Sequence, residues 1–171
     1  MKKISILIIL LLPSFTVFSV NKLSGTVKDS SEINPLIVKT KYGRVKGKKD
    51  KNQTIVWKAI PFAKPPIGKL RWKAPVEPDS WEGILSCKKF SDNAVQYHPM
   101  RKRKIYGNED CLYLNIWKPE NHQTKLPVYV WIHGGGNSVG YAHQMKEYYG
   151  HNIADKSEVI FVSINYRLGP M

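Results

Sequence analysis

The stretch LPVYVWIHGGG, Leu126 to Gly136, decides how the rest of this chain is read. Pro127 opens it, and Val128 to Ile132 is an almost continuous apolar run of the kind a strand covered on both faces needs. The run passes directly into His133, Gly134, Gly135 and Gly136. Val159 to Ile164 is a second apolar run. Between the two, Tyr141 to Lys156 reads as a weakly periodic helix interrupted by Gly150. Apolar strand, glycine-rich loop, helix and apolar strand form a βαβ unit, whose crossover is expected to be right-handed. The fold class is therefore α/β.

Further upstream, Leu112 to Trp117 alternates as a third strand of the main sheet, and Pro119 ends it. Leu36 to Val38, Tyr42 to Lys46 and Thr54 to Trp57 are short β-type runs separated by turn residues, expected as a small antiparallel sheet. The lysine-rich Lys46 to Lys51 is expected as a solvated hairpin loop. Ile60 to Pro78 carries Pro61, Pro65, Pro66, Pro75 and Pro78, so it should cross the surface as extended chain. Trp72 and Trp81 are expected to anchor it by packing.

Met1 to Ser19 reads as a targeting segment. Lys2 and Lys3 form a positive start, Ile4 to Leu12 is apolar apart from Ser5, and Val17-Phe18-Ser19 offers small residues before a cut. The run is shorter than the ~20 apolar residues a membrane span needs, so secretion is expected and no stable membrane span. Val20 to Pro35 is polar and reads as a flexible tether, leaving Leu36 to Met171 as the folded portion.

The 171 residues are 42% hydrophobic and 23% charged, which excludes collagen-like, coiled-coil and wholly disordered classes. The formal charge of +14 favours contact with anionic surfaces but says nothing about fold. Arg101 to Lys104, beside Tyr97, His98 and Tyr106, is a basic cluster with aromatics that could touch nucleic acid. Loop charge of this kind is usually only solvated, and no nucleic-acid partner is expected. Cys87 and Cys111 have no CxxC pair or histidine cluster beside them, so neither a metal nor a cofactor is expected. In an oxidising compartment the two could pair.

The glycine loop carries the chemistry. Without Cβ atoms its backbone can take positive φ and turn N–H groups toward open space. A phosphate cradle would need GxGxxG or GxxxxGK[ST], and neither pattern is present. An oxyanion hole, which stabilises the negative oxygen of ester cleavage, and a turn used only for tight packing both remain open on these residues.

Five further stretches carry a resemblance. They are IPFAKPPIGKLRW (Ile60 to Trp72), WEG (Trp81 to Gly83), EDCLYLNIWKP (Glu109 to Pro119), LPVYVWIHGGG and INYRLGP (Ile164 to Pro170), with Gly43 to Gly47 before them. In that order the chain resembles the N-terminal part of the type-B carboxylesterase family, which includes cholinesterases and bacterial para-nitrobenzyl esterases. The resemblance implies an α/β-hydrolase fold and a serine esterase that cleaves a small-molecule carboxylic ester through an acyl-enzyme. It makes the amides of Gly135 and Gly136 the oxyanion donors, with Gly134 and His133 shaping the loop. It also implies an ion pair between Arg71 and Glu109 and a disulfide at Cys111. Cys87 is the expected partner, although cholinesterase-type sequences place that cysteine nearer Ala94. Asn137 stands where the family usually has an aromatic residue.

The resemblance places the nucleophile elbow, the acid and the catalytic histidine after INYRLGP. No serine of this chain is expected in a Gly-x-Ser-x-Gly setting or as the nucleophile, and His98, His122, His143 and His151 are expected at the surface. The chain alone is expected to be inactive, and Val128 to Ile132 to present an unpaired apolar edge. The alternative is a non-catalytic adhesion or binding protein on the same fold.

Overall fold

The computed structural model describes residues 34–97, 104–121 and 125–170. The leader, most of the tether, His98, His122 and Arg101 to Arg103 lie outside the described residues. The β-type runs become strands. In chain order these are β1 (Ile37–Lys39), β2 (Arg44–Lys46), β3 (Lys48–Asp50), β4 (Thr54–Pro61), β5 (Ile84–Ser86), β6 (Gln96–Tyr97), β7 (Ile105–Tyr106), β8 (Tyr113–Pro119), β9 (Val128–Ile132) and β10 (Ile160–Ile164). A seven-residue helix, α1 (His151–Ser157), precedes β10.

The large sheet has the order β3-β4-β8-β10-β9. The first four strands are antiparallel neighbours, whereas β9 and β10 run parallel, with Val128 opposite Ile160 and Ile132 opposite Ile164. The unit β9-α1-β10 thus joins two parallel strands through a crossover. Thr54 to Trp57 does not join the small sheet, as the sequence reading expected. It extends into the eight-residue β4, buried on both faces, and β5 completes the small sheet by pairing parallel to β2. The lysine run is likewise no loop. Lys48 to Asp50 forms the edge strand β3, and the turn back into β4 is made by Asn52 and Gln53, both with positive φ.

Alternation along the strands sends side chains into separate clusters. Ile55, Trp57 and Ile60 pack with Val45 and Cys87 between the two sheets. Val56, Trp117, Phe161 and Ala154 meet on the opposite face, under α1. Only His151 to Ser157 of the expected long helix is α-helical, because the chain touches the sheet at Gly150. A Cβ there would lie 2.2 Å from the Phe161 ring. Trp81 packs against the first cluster, with its Nε1 donating to the Arg44 carbonyl. Trp72 does not anchor by packing, being 69% exposed, and instead donates its Nε1 hydrogen to the Pro170 carbonyl.

Strand β9 departs from the doubly covered reading. It lies at the sheet edge, and Val128, Val130 and Ile132 are 60%, 55% and 61% exposed. An apolar run does not reveal which of its faces is covered. Among the described residues no strand pairs with the outer edge of β9, as expected from the same stretch.

A bulge interrupts β4 where Lys58 and Ala59 together oppose Asn115. Ala59 has φ of 55°, and its N–H donates to Asn115 Oδ1 at 3.1 Å. The bulge frees the Lys58 N–H to donate to the Cys87 carbonyl, which ties the small sheet to the large one. The Lys58 ammonium then sits 4.0 Å from the Phe90 ring centre. His143 stacks on the same Phe90 ring at 4.2 Å, so it is a packed group and not the surface residue expected. His151 is also partly enclosed, 4.0 Å from the Asp50 carboxylate.

Left-handed backbone costs a residue with a Cβ about 1–2 kcal/mol, and only part of that is offset by the freer unfolded chain of glycine. Ala59→Gly should therefore raise stability by about 0.5–1 kcal/mol in urea unfolding. Burial, reinforced by the Lys58 charge, lowers the His143 pKa from 6.5 to about 4. The unfolded chain then binds the proton first, so stability held above pH 6.5 is lost as pH falls toward about 4. Urea midpoints measured across that window should drop for the native chain and drop less for His143→Phe, which keeps the stacked ring.

Candidate functional site

Parallel strands β9 and β10 end side by side, and the segments leaving their carboxyl ends build the site, as is usual for open α/β sheets. From β9 comes the loop His133 to Gly140. From β10 comes Asn165 to Pro170. The loop is clamped at three points. Tyr166 donates its hydroxyl hydrogen to the His133 carbonyl at 2.7 Å, Gly169 N–H donates to the Asn137 carbonyl at 2.6 Å, and Gln96 grips Gly140 from both sides. Gln96 Oε1 accepts from the Gly140 N–H while Gln96 Nε2 donates to its carbonyl.

Inside these clamps the backbone is set by the absence of side chains. Gly135 has φ of 129°, and a Cβ there would lie 1.7 Å from the Val139 carbonyl oxygen. The Gly135 carbonyl in turn accepts the N–H groups of Ser138 and Val139. Gly136 has φ of 59°, and Asn137 follows at 55°, a left-handed conformation that asparagine tolerates better than an aromatic residue. Gly134, Gly135 and Gly136 are exposed, and their N–H groups have no acceptor among the described residues. A Cβ built on Gly134 or Gly136 would meet nothing within 4 Å, so the space beside the loop is open.

His133 is buried, stacked on Tyr166 at 4.4 Å, with Nδ1 2.9 Å from the Gly134 carbonyl oxygen. Burial lowers its pKa, and the backbone hydrogen bond opposes that only in part. The neutral ring donates through Nδ1 and fills the space where Gly140 passes; a Cβ on Gly140 would lie 2.8 Å from Nδ1. An open hollow of about 340 Å³ lies beside the loop, lined by Val95, Tyr97, Ile105, Ser138, Leu168 and Pro170.

Other residues singled out from the sequence separate into pairs that meet and pairs that do not. Arg71 and Glu109 meet in a two-pronged contact of 2.7 and 2.6 Å, which raises the arginine pKa. Cys87 and Cys111 are both free thiols, which corrects the disulfide expected between them. Cys87 lies with Val45, Ile55 and Trp57, whereas Cys111 lies with Ala63, Ala94 and Leu168. Ala94, and not Cys87, is thus among the residues that share the Cys111 cluster. Burial pushes each thiol up to about 11.

Sequence reasoning also passed over a spacing. Gly136-Asn137-Ser138-Val139-Gly140 satisfies Gly-x-Ser-x-Gly. A nucleophile elbow needs the serine on a sharp turn between a strand and a helix. Ser138 instead lies six residues beyond β9, no helix follows it directly, and its hydroxyl donates to the Gly136 carbonyl at 3.1 Å. No histidine hydrogen-bonds to it among the described residues. Gln96 and Tyr166, the two clamps made by side chains, were missed because nothing local in the sequence links them to the glycines.

Among known proteins, the model of the Carboxylesterase family matches residues 34–171. The para-nitrobenzyl esterase of Bacillus subtilis is 43% identical over 142 residues, covering 78% of this chain and 28% of the relative. Gut esterase 1 of Caenorhabditis elegans is 42% identical over 137 residues, covering 79% and 24%. A solved para-nitrobenzyl esterase structure superimposes with a TM-score of 0.72 at 40% identity, covering 78% of this chain and 28% of that one. A carboxylesterase of Geobacillus stearothermophilus gives 0.69 at 38% identity, covering 78% and 27%. The chain spans about a quarter of the length of the relatives it matches.

Thiol titration without reductant should find two free cysteines once the chain is unfolded. In the folded chain, burial and the raised thiol pKa should make both slow to react.

Proposed function

Because the chain belongs to the carboxylesterase family, we propose that its glycine loop is the oxyanion-stabilising part of a serine-dependent carboxylic ester hydrolase working through an acyl-enzyme. The observation that carries this reading is that the exposed N–H groups of Gly135 and Gly136, at the carboxyl end of β9, have no acceptor among the described residues. When a nucleophile adds to an ester carbonyl, the oxygen gains a negative charge that those amides can receive. They are already held by the clamps at His133, Asn137 and Gly140, so they need no reorganisation as the charge appears. A donor of this kind contributes about 3 kcal/mol of transition-state stabilisation.

In this reading Gly134 and His133 shape the loop. His133 spends its Nδ1 hydrogen on the Gly134 carbonyl and is kept neutral by burial, which suits a spacer and not a proton shuttle. The apolar hollow beside the loop receives a hydrocarbon part of the ester. Ser138 has neither the elbow nor the imidazole partner of a nucleophile. The 171 residues therefore supply charge stabilisation without the group that attacks, and by themselves they are inactive toward esters. The leader Met1 to Ser19 directs secretion. The adhesion-protein alternative has no observation in its favour.

An amide-resolved NMR titration of the chain with methylphosphonate, an oxyanion mimic, tests the donor assignment. The Gly135 and Gly136 amides should move most, and Gly135→Ala, whose Cβ would strike the Val139 carbonyl, should abolish the shift. Unmoved glycine amides would refute the assignment. p-Nitrophenyl acetate turnover should stay at the level of Gly135→Pro, and turnover clearly above it would overturn the claim of inactivity.

A further inference from the structure

The small sheet carries a feature that ester chemistry does not use. Pairing places Lys39 directly opposite Arg44, and Arg44 and Lys46 alternate onto the same face of β2. Val45 and Leu85 point the other way, into the core, so this face is the solvent side. Its remaining members are Ile37, Ile84 and Ser86, which add no acidic group. The neighbouring Lys41 is neutralised by Glu77 at 2.7 Å. Lys39, Arg44 and Lys46 have no carboxylate partner among the described residues. Like charges directly across a strand pair destabilise a sheet, and here a third cation lies roughly 7 Å along the same strand. These three are part of a chain charge of +14.

The face is also shaped. At one end an open hollow of about 440 Å³ is lined by Lys39, Tyr42, Arg44, Ser80 and Trp81. Trp81 is fixed there by its bond to the Arg44 carbonyl, and its indole lies so close to Gly43 that a Cβ would come within 2.5 Å of the ring nitrogen. Aromatic surface and a hydroxyl beside unpaired cations suit the C–H faces, hydroxyls and anionic groups of an acidic sugar. Duplex nucleic acid suits the site less well, because groove reading needs a protruding helix or ribbon and this face is a broad three-stranded surface.

We propose that the solvent face of the β1-β2-β5 sheet, with Lys39, Arg44 and Lys46 in register, is a docking strip for an acidic polysaccharide. The strip neutralises successive sulfate or carboxylate groups while the hollow seats a sugar ring, holding the protein on an anionic matrix. This binding is independent of the glycine loop and of the ester reading.

Heparin, neutral dextran and duplex DNA serve as probes for the 171-residue chain. The native chain should bind heparin in a salt-dependent way and ignore dextran. Combined Lys39→Ala, Arg44→Ala and Lys46→Ala should weaken heparin binding about tenfold at low salt. Lys69→Ala, Lys146→Ala and Lys156→Ala together remove equal charge elsewhere and should weaken it far less. Arg44→Gln alone, with the fold checked by circular dichroism, should give a smaller loss of the same kind. Equal losses in the two triple variants would reduce the effect to net charge and overturn the strip. Tighter capture by DNA than by heparin would overturn the choice of partner.

Discussion

The buried side chain of Asn115 is the constraint on which the architecture turns. Its Oδ1 accepts the Ala59 N–H from the bulge of β4, and its Nδ2 donates to Ser163 Oγ on β10 at 3.2 Å. One amide thus joins three adjacent strands from inside the sheet. A buried polar group of this sort costs several kcal/mol if left without partners, so the bulge and the β8-β10 register are fixed together. The bulge hands the Lys58 N–H to Cys87 and so sets the small sheet against the large one. The β10 register sets that of β9, and with it the height at which the glycine loop leaves the sheet.

The loop divides its backbone groups into two kinds. The carbonyls of His133, Gly134, Gly135, Gly136, Asn137 and Gly140 all have donors from nearby side chains or amides. The N–H groups of Gly134 to Gly136 have none among the described residues. Satisfied acceptors fix the path of the chain, and the unsatisfied donors lie beside open space. The two-pronged Arg71–Glu109 contact braces the proline-rich crossing against the segment before β8, and the Trp72–Pro170 bond braces it against the segment that carries Gly169.

The periodicity of the sequence was enough to place β8, β9 and β10 and the glycine loop, because apolar runs and turn residues are local signals. It was less informative about partnership. Thr54 to Trp57 has the same β-type composition whether it closes the small sheet or enters the large one. The lysines of β3 read as a loop although long side chains can line a strand edge and still reach water. Nor does an apolar run say how much of it is covered, which is why β9 was read as enclosed. Gln96 and Tyr166 reach the loop from 44 and 33 residues away. No spacing rule over a short window could have found them, and composition left two cysteines looking like a pair that the packing keeps in different clusters.

The donors at the site belong to the main chain, and the side chains around them serve only to hold a path. Among the described residues no thiol or carboxylate lines the loop for a reagent to label, and the His133 imidazole is buried with its Nδ1 bonded to the Gly134 carbonyl. What specifies this corner of the molecule is a set of torsion angles, and residues that contribute no side chain adopt them at no steric cost.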